Sequence, residues 1–298
     1  MITLPNPRRS QFRTSVASVL LLMLTLAIGR ANTLAQFRTV FGDIDVELYD
    51  QDKPVTVNNF VQLVRSGAYQ NTFLHVCLPN LVLQGGGFYV LNRFDNNLFS
   101  TFYYVPNFGT ITNEFAVGPR LTNAYGTIAM ARVDGQTNSA TSHWFFNLAN
   151  NSSLDRMYGG FTVFGRVLRG TNILNYFNTF SQNNGIVDLR KLYGTTNATT
   201  SLFSDLPVYY FGATKPHYSD LLYVDISLLN VQIGRLTNGA REISWNSVNS
   251  VTNHVEFTTN FPPNWQLLFS TNGNGSNLNL IDGSTNSSRR FYRVRVNY

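Results

Sequence analysis

From Phe37 to Leu48 the apolar residues Val40, Ile44, Val46 and Leu48 alternate with polar ones around Gly42-Asp43. A period of two places alternate side chains on opposite faces, so the pattern predicts two half-buried strands joined by a tight turn. The pattern then changes period. After Pro54-Val-Thr-Val-Asn-Asn-Phe60, the residues Val61, Leu63 and Val64 continue an apolar stripe at helical spacing that stops at Gly67, which predicts one short amphipathic helix. Between Phe73 and Val167 short apolar runs recur between Gly, Asn, Asp and Pro, as expected for strands of a barrel or sandwich. Thr171 to Phe180 fits a second short helix. Residues 183–216 show no clear period and are expected to form a long loop, and the alternation of Leu222, Val224 and Ile226 within Leu221–Leu229 predicts a strand that closes the sheet. After Gly234–Arg241, Trp245, Val255, Phe257, Trp265 and Leu267 punctuate a Ser/Asn/Thr/Gly-rich background. The segment ends in Phe291-Tyr-Arg-Val-Arg-Val296, where Tyr292, Val294 and Val296 share one face and Arg293 and Arg295 the other. Residues 240–298 therefore read as a small β module, too short to be more than marginally stable alone.

Composition narrows the classes. Of 298 residues 43% are hydrophobic and only 13% charged, with 35 asparagines, so the polar surface is mostly uncharged and neither a disordered chain nor a coiled coil fits. The net charge of +6 suggests a nucleic-acid partner only until Arg8, Arg9, Arg13 and Arg30 are set aside; without these four the balance falls to +2, too little for phosphate binding without a basic cluster. The first three arginines precede a thirteen-residue apolar run, Val16–Ile28, too short to span a bilayer of roughly 20 residues. Residues 1–35 read as a secretory signal peptide. Cleavage fits after Ala31 or after Ala35, the second preferred because Thr33 and Ala35 are both small. The expected location is the periplasm or the extracellular space, with no stable membrane span after cleavage. Cys77 is the single cysteine, so no internal disulfide can form. His75, His143, His217 and His254 lack ligand spacing, and no metal or cofactor is expected. Asp43, Asp45 and Glu47 alternate on the first hairpin and are expected to face solvent rather than to pair across a substrate.

Seven ordered blocks carry a resemblance. They are Phe41-Gly-Asp-Ile-Asp-Val-Glu-Leu-Tyr-Asp50, Pro54-Val-Thr-Val-Asn-Asn-Phe60, Gln84-Gly-Gly86, Asn113-Glu-Phe115, Gly126-Thr-Ile-Ala-Met-Ala-Arg132, Ser139-Ala-Thr-Ser142 and Phe161-Thr-Val-Phe-Gly165. Together these resemble the cyclophilin family of peptidyl-prolyl isomerases, especially its exported bacterial members, over about residues 37–180. The resemblance implies a mainly β fold with two short helices, a closed eight-stranded β-barrel over residues 36–233 followed by the C-terminal β-sandwich-like module. It implies an isomerase that assists protein folding and acts on proline-containing polypeptide segments without a cofactor.

The family's arginine, which hydrogen-bonds the prolyl nitrogen, stands eight residues before the glutamine of Gln-Gly-Gly, and here that position is Val76. His75 and Gln84 match their family counterparts, with Gln84 expected to orient substrate backbone. Leu81 and Val82 stand where the family has phenylalanine and methionine, and Met130, Ala131, Phe145 and Leu154 match its apolar pocket. Phe161 replaces a pocket-edge histidine, and His143-Trp144 replaces Gln-Phe. The resemblance thus implies a substrate groove of His75, Leu81, Val82, Met130, Ala131, Trp144, Phe145, Leu154 and Phe161, with catalysis resting on Gln84 and on a hydrogen bond that the His143 imidazole could donate. A second reading is a noncatalytic module that grips proline segments in the cell envelope, with the C-terminal part docking to an envelope or surface partner.

Overall fold

The computed structural model describes residues 32–194, 201–209, 214–229, 231–247, 252–260, 262–274, 276–284 and 289–297. The expected export signal lies outside them up to Ala31. Strands β1 (Leu34–Thr39) and β2 (Gly42–Leu48) form the expected hairpin, with Phe37 opposite Ile44. Thr39 shapes the turn by accepting a bond from the Phe41 amide at 3.1 Å and donating to the Gly42 carbonyl at 3.0 Å. Ala35, Phe37, Ile44, Val46 and Leu48 point inward. Asp43, Asp45 and Glu47 point the other way, each in an ion pair with Arg38, Arg169 and Arg166 respectively.

Helix α1 (Pro54–Arg65) starts on a proline and receives no cap from its own Lys53. The orphan amides of a first turn need acceptors, and the Glu114 carboxylate supplies them, 3.1 Å from the Val55 amide and 2.7 Å from that of Thr56. Lys53 Nζ completes the clasp by donating to the carbonyls of Glu114, Val117 and Pro119 at 2.5–2.9 Å.

The chain continues through β3 (Val76–Leu78), β4 (Val82–Gly85), β5 (Phe88–Tyr89), β6 (Tyr103–Tyr104), β7 (Thr127–Met130), β8 (Trp144–Asn147), β9 (Val163–Arg169), α2 (Thr171–Phe177), β10 (Ile186–Val187), α3 (Leu189–Tyr193), β11 (Leu206–Pro207) and β12 (Asp225–Leu229). Eight strands form one curled sheet in the order β12-β1-β2-β9-β7-β8-β4-β3. A closed barrel is expected from the sequence, but this ladder has two ends. β3 is three residues long, and its outer side is already engaged, the Cys77 amide donating to the Asp205 carbonyl at 2.8 Å. Among the described residues the two ends approach at the isolated bridge between Phe73 and Tyr223, just before each edge strand.

Residues 183–216, expected to be a loop, carry β10, α3 and β11. α3 begins at Asp188, whose carboxylate accepts from the Arg190 amide at 3.0 Å. This stretch builds a second core beside β3, in which Phe203 packs against Phe73, Phe88, Phe99 and Phe102 at centroid distances of 5.0–5.9 Å. Its buried residues are scattered over elements of two to five residues, too short to show a period.

Beyond β12 lie β13 (Val231–Arg235), β14 (Arg241–Asn246), β15 (Thr252–Thr258), β16 (Gln266–Asn272), β17 (Asn277–Asp282) and β18 (Phe291–Asn297). They form two three-stranded sheets, β13-β14-β17 and β16-β15-β18, around a small cluster of Ile243, Trp245 and Val255. β13 pairs with β14, so residues 231–233, placed by the sequence pattern at the end of the first domain, hydrogen-bond into the C-terminal sheets. No helix among the described residues is long and apolar enough to cross a membrane.

The second core makes a stability prediction. Phe203 is fully buried among four rings, so Phe203→Ala is expected to cost about 3–5 kcal/mol, read as a lower urea midpoint; a shift below about 1 kcal/mol would mean that residues 183–216 are only loosely attached.

Candidate functional site

Antiparallel pairing places directly opposite residues on the same face of a sheet. Val76 lies opposite Gln84, Gln84 opposite Phe145, Phe145 opposite Ala129, and Ala129 opposite Val163. These five form a row across β3, β4, β8, β7 and β9 on the face away from the main core. Around it Ala129, Phe145 and Val163 make a separate apolar cluster, with Val82, Ala131, Leu154, Phe161, Leu121 and Tyr49 packed against it. The Phe161 ring meets Phe145 edge-on at 5.8 Å. The Phe161 amide donates to the Leu154 carbonyl at 3.1 Å, which brings both ends of the 154–161 loop to one wall. The result is a compact apolar cluster centred on the nearly buried Phe145 ring.

Five residues expected in the groove meet there: Val82, Ala131, Phe145, Leu154 and Phe161. Trp144, Met130, Leu81 and His75 do not. Trp144 and Met130 are fully buried on the opposite face, in the main core, Trp144 against Phe37 at 4.9 Å and Phe146 at 5.5 Å. Strand parity is the reason: with Phe145 outward, its neighbour Trp144 points inward, and the same holds for Met130 beside Ala129 and Ala131. Leu81 lies in the β3–β4 turn, 38% exposed and outside the cluster. Ala129 and Val163 were missed by the sequence reading, although each stands two residues from a residue that it placed in the groove, Ala131 and Phe161.

Gln84, His75 and His143 form a polar group beside the apolar row. Gln84 Nε2 lies 3.2 Å from His75 Nε2 and 3.4 Å from His143 Nδ1, and the two imidazoles meet edge-to-face at 5.3 Å. Phe88 covers both, 4.8 Å from His75 and 5.5 Å from His143, and is itself packed on Phe203 of the second core. Burial disfavours the charged ring. It holds His75 well below its ordinary value, helped by the neighbouring His143, and pushes His143 down to about 4. Both rings are neutral at neutral pH, and the amide bridges two uncharged imidazoles. Cys77, two residues after His75, faces the main core, and burial raises its thiol to about 12, which leaves it unreactive. Val76 is half-buried at the start of the row and offers no hydrogen-bond donor. Among the described residues no cluster of His, Cys, Asp or Glu is arranged to hold a metal ion.

Comparison with known proteins agrees with the order of the sequence blocks. A family model described as cyclophilin type peptidyl-prolyl cis-trans isomerase matches residues 34–193. The chain is 36% identical over 162 residues to a peptidyl-prolyl cis-trans isomerase of Acinetobacter baylyi, covering 54% of this chain and 79% of that one. It is 38% identical over 137 residues to peptidyl-prolyl cis-trans isomerase A of Dickeya dadantii, covering 45% and 65%. A cyclophilin type isomerase of Cryptosporidium parvum, crystallised with the dipeptide Ala-Pro, overlays with a TM-score of 0.42 and 19% identity, covering 65% of this chain and 98% of that one.

The depressed His143 value has a consequence for stability. The unfolded chain takes up a proton near pH 6.5, whereas the folded chain does so only near pH 4. Its contribution is therefore present above pH 6.5 and lost as pH falls toward 4, where the unfolded state binds more protons. A His143→Gln protein, with no ring to protonate in either state, is expected to show a shallower fall of urea midpoint between those pH values. An unchanged slope would show that the imidazole is not held neutral.

Proposed function

We propose that this chain, which belongs to the cyclophilin-type peptidyl-prolyl cis-trans isomerase family, is an exported isomerase and folding helper that works slowly because Val76 replaces a transition-state donor. The observation that carries this reading is the row Val76–Gln84–Phe145–Ala129–Val163: an apolar cluster on which a prolyl ring would rest, a polar amide one strand away, and a valine at the next position.

Rotation about the bond before proline is opposed by amide resonance, with a barrier of about 18–20 kcal/mol. The uncatalysed exchange takes tens of seconds. In the proposed complex the ring rests on Phe145 between Val82, Ala131, Leu154 and Phe161, and Gln84 holds the neighbouring backbone with the hydrogen-bonding capacity that the two histidines leave it. Holding both flanks lets the bond between them turn. No covalent step and no cofactor enters. As resonance is lost, the prolyl nitrogen gains a lone pair that a preorganised donor would stabilise, and losing one such donor typically costs about 10²–10³ in rate. Neutral His143 can still donate from one ring nitrogen, which supports residual turnover. Val76 also supports the second reading, a groove that grips proline segments without turning them over, with the C-terminal sheets docking on an envelope or surface partner.

Export rests on the arginines and apolar run before Ala31, with the periplasm or the extracellular space as destination. The contacts just after Ala31 support cleavage there rather than after Ala35. Asn32 Nδ2 donates to Glu47 at 3.0 Å, and the Thr33 amide and hydroxyl donate to the Asp50 carboxylate at 2.7 and 2.8 Å. Leu34 opens β1, and Ala35 is fully buried. A cut after Ala35 would strip this edge of the hairpin.

Two measurements test these proposals. In a proline cis/trans exchange assay the natural protein is expected to accelerate exchange weakly, Phe145→Ala to abolish the effect, and Val76→Arg to raise it by about 10²–10³. Activity in Val76→Arg alone would establish the noncatalytic reading, and inactivity of both would sink the isomerase reading. The intact mass of the exported protein is expected to place its N-terminus at Asn32; a mass that begins at Gln36 would overturn the earlier cleavage point.

A further inference from the structure

Arg132 follows β7, on the wall of the groove opposite Val76. The loop it faces is unusual: Tyr158, Gly159 and Gly160 have consecutive positive φ values of 46°, 85° and 82°, the first on a residue with a side chain, which rarely adopts that conformation. The loop's carbonyls converge on one guanidinium nitrogen. Arg132 Nη2 lies 2.8 Å from the Met157 oxygen, 3.1 Å from that of Tyr158 and 3.5 Å from that of Gly160. Thr137 Oγ1 adds a bond to the Tyr158 carbonyl at 3.0 Å, and Asn113 Nδ2 one to that of Gly160 at 2.8 Å. The guanidinium lies over the Phe161 ring, its carbon 4.3 Å from the ring centroid. A planar cation over a ring combined with a fork of donors is specific to arginine.

Phe161 is the residue whose ring meets that of Phe145 edge-on. We propose that Arg132 is a positioning residue of the groove: by pinning the left-handed 158–160 loop and backing the Phe161 ring, it sets the width of the pocket that receives proline. The inference rests on the groove being the substrate site. Arg132 does not stand in for the donor missing at Val76, because its Nε and Nη1, though without a hydrogen-bond partner, are buried away from the surface a substrate would meet, and its remaining nitrogen is engaged by the loop carbonyls. Its influence reaches substrate through Phe161, so it acts on how well a proline segment is held and not on the rotation of the bond.

The test compares the natural protein with Arg132→Ala and Arg132→Lys, using an Ala-Pro-containing peptide, its dissociation constant from NMR titration, and KM and kcat from the exchange assay. Losing the support is expected to raise the dissociation constant and KM about 10-fold in Arg132→Ala while kcat stays within about twofold, the signature of lost uniform binding. Arg132→Lys keeps donors for the carbonyls but not the planar group over the ring, and is expected to recover part of the loss and to restore slow hydrogen exchange at the Phe161 amide. Should Arg132→Ala not fold, Arg132→Lys carries the test, with an expected loss of affinity of about threefold. Unchanged affinity in a folded variant, or a fall in kcat with KM unchanged, overturns the positioning role. Failure of the natural protein itself to bind the peptide overturns the substrate-site reading, and the role of Arg132 with it; the natural protein's own titration separates the two failures.

Discussion

The approach of the Trp144 ring to the glycines that end β4 is the contact on which the rest of the architecture depends. A Cβ on Gly85 or Gly86 would come within 2.6 Å of the indole, so no other residue fits there without moving the largest side chain of the core. Gly86 also has a φ of +74°, a conformation that glycine adopts without steric cost. With the indole seated against Phe37 and Phe146, the parity of β8 is set, and Phe145 is turned outward. Phe145 then defines the groove floor, the pairing of β8 with β4 brings Gln84 alongside it, and Gly87, the next glycine, leaves room for the His143 ring. The interior and the site are two faces of one strand, and a change to the glycine run would disturb both.

What distinguishes this groove is how little charge it holds. The second core, absent from the compact barrel that the sequence blocks imply, lays Phe88 over His75 and His143 and keeps both rings neutral. The arginine of the opposite wall lies over a ring face and donates from Nη2 to loop carbonyls, with its other two nitrogens buried. If this is the substrate site, as proposed, recognition there depends on apolar fit and on amide hydrogen bonds, and burying an unpaired charge would cost several kcal/mol.

Much of this was legible in the sequence, and the parts that were not share a cause. The hairpin, α1 and the ordered motif blocks are local patterns, readable from period, proline and glycine. The inward direction of Trp144 was also readable, since placing Phe145 in the groove excludes its immediate neighbour on a strand; resemblance to a motif obscured that parity. The open edge at β3 was not readable, because it depends on Asp205, more than a hundred residues away, occupying the position where a closing strand would pair. The elements within residues 183–216 were hidden for a related reason: strands of two residues and a helix of five are held by the aromatic residues they meet, not by any period of their own. β13 starts at Val231, before the change of composition at Gly234–Arg241 from which the boundary was read, because Val231 and Ile233 pair with β14 although too few residues precede that change to show a period.

The replacement at Val76 bears on how binding energy is used. An apolar cluster that holds the prolyl ring and an amide that holds the backbone stabilise the planar and the twisted peptide to similar extents, and such uniform binding lowers KM without raising kcat. The donor aimed at the prolyl nitrogen is the component that distinguishes the two states, since the nitrogen becomes a good acceptor only as resonance is lost. On the proposed reading, valine at that position, half-buried opposite Gln84, leaves the groove with the features that serve affinity and without the one that serves rate. Isomerase and proline-segment binder are therefore neighbouring settings of one site, and the distance between them is the value of a single hydrogen bond to nitrogen, about 2.7–4 kcal/mol when it is preorganised.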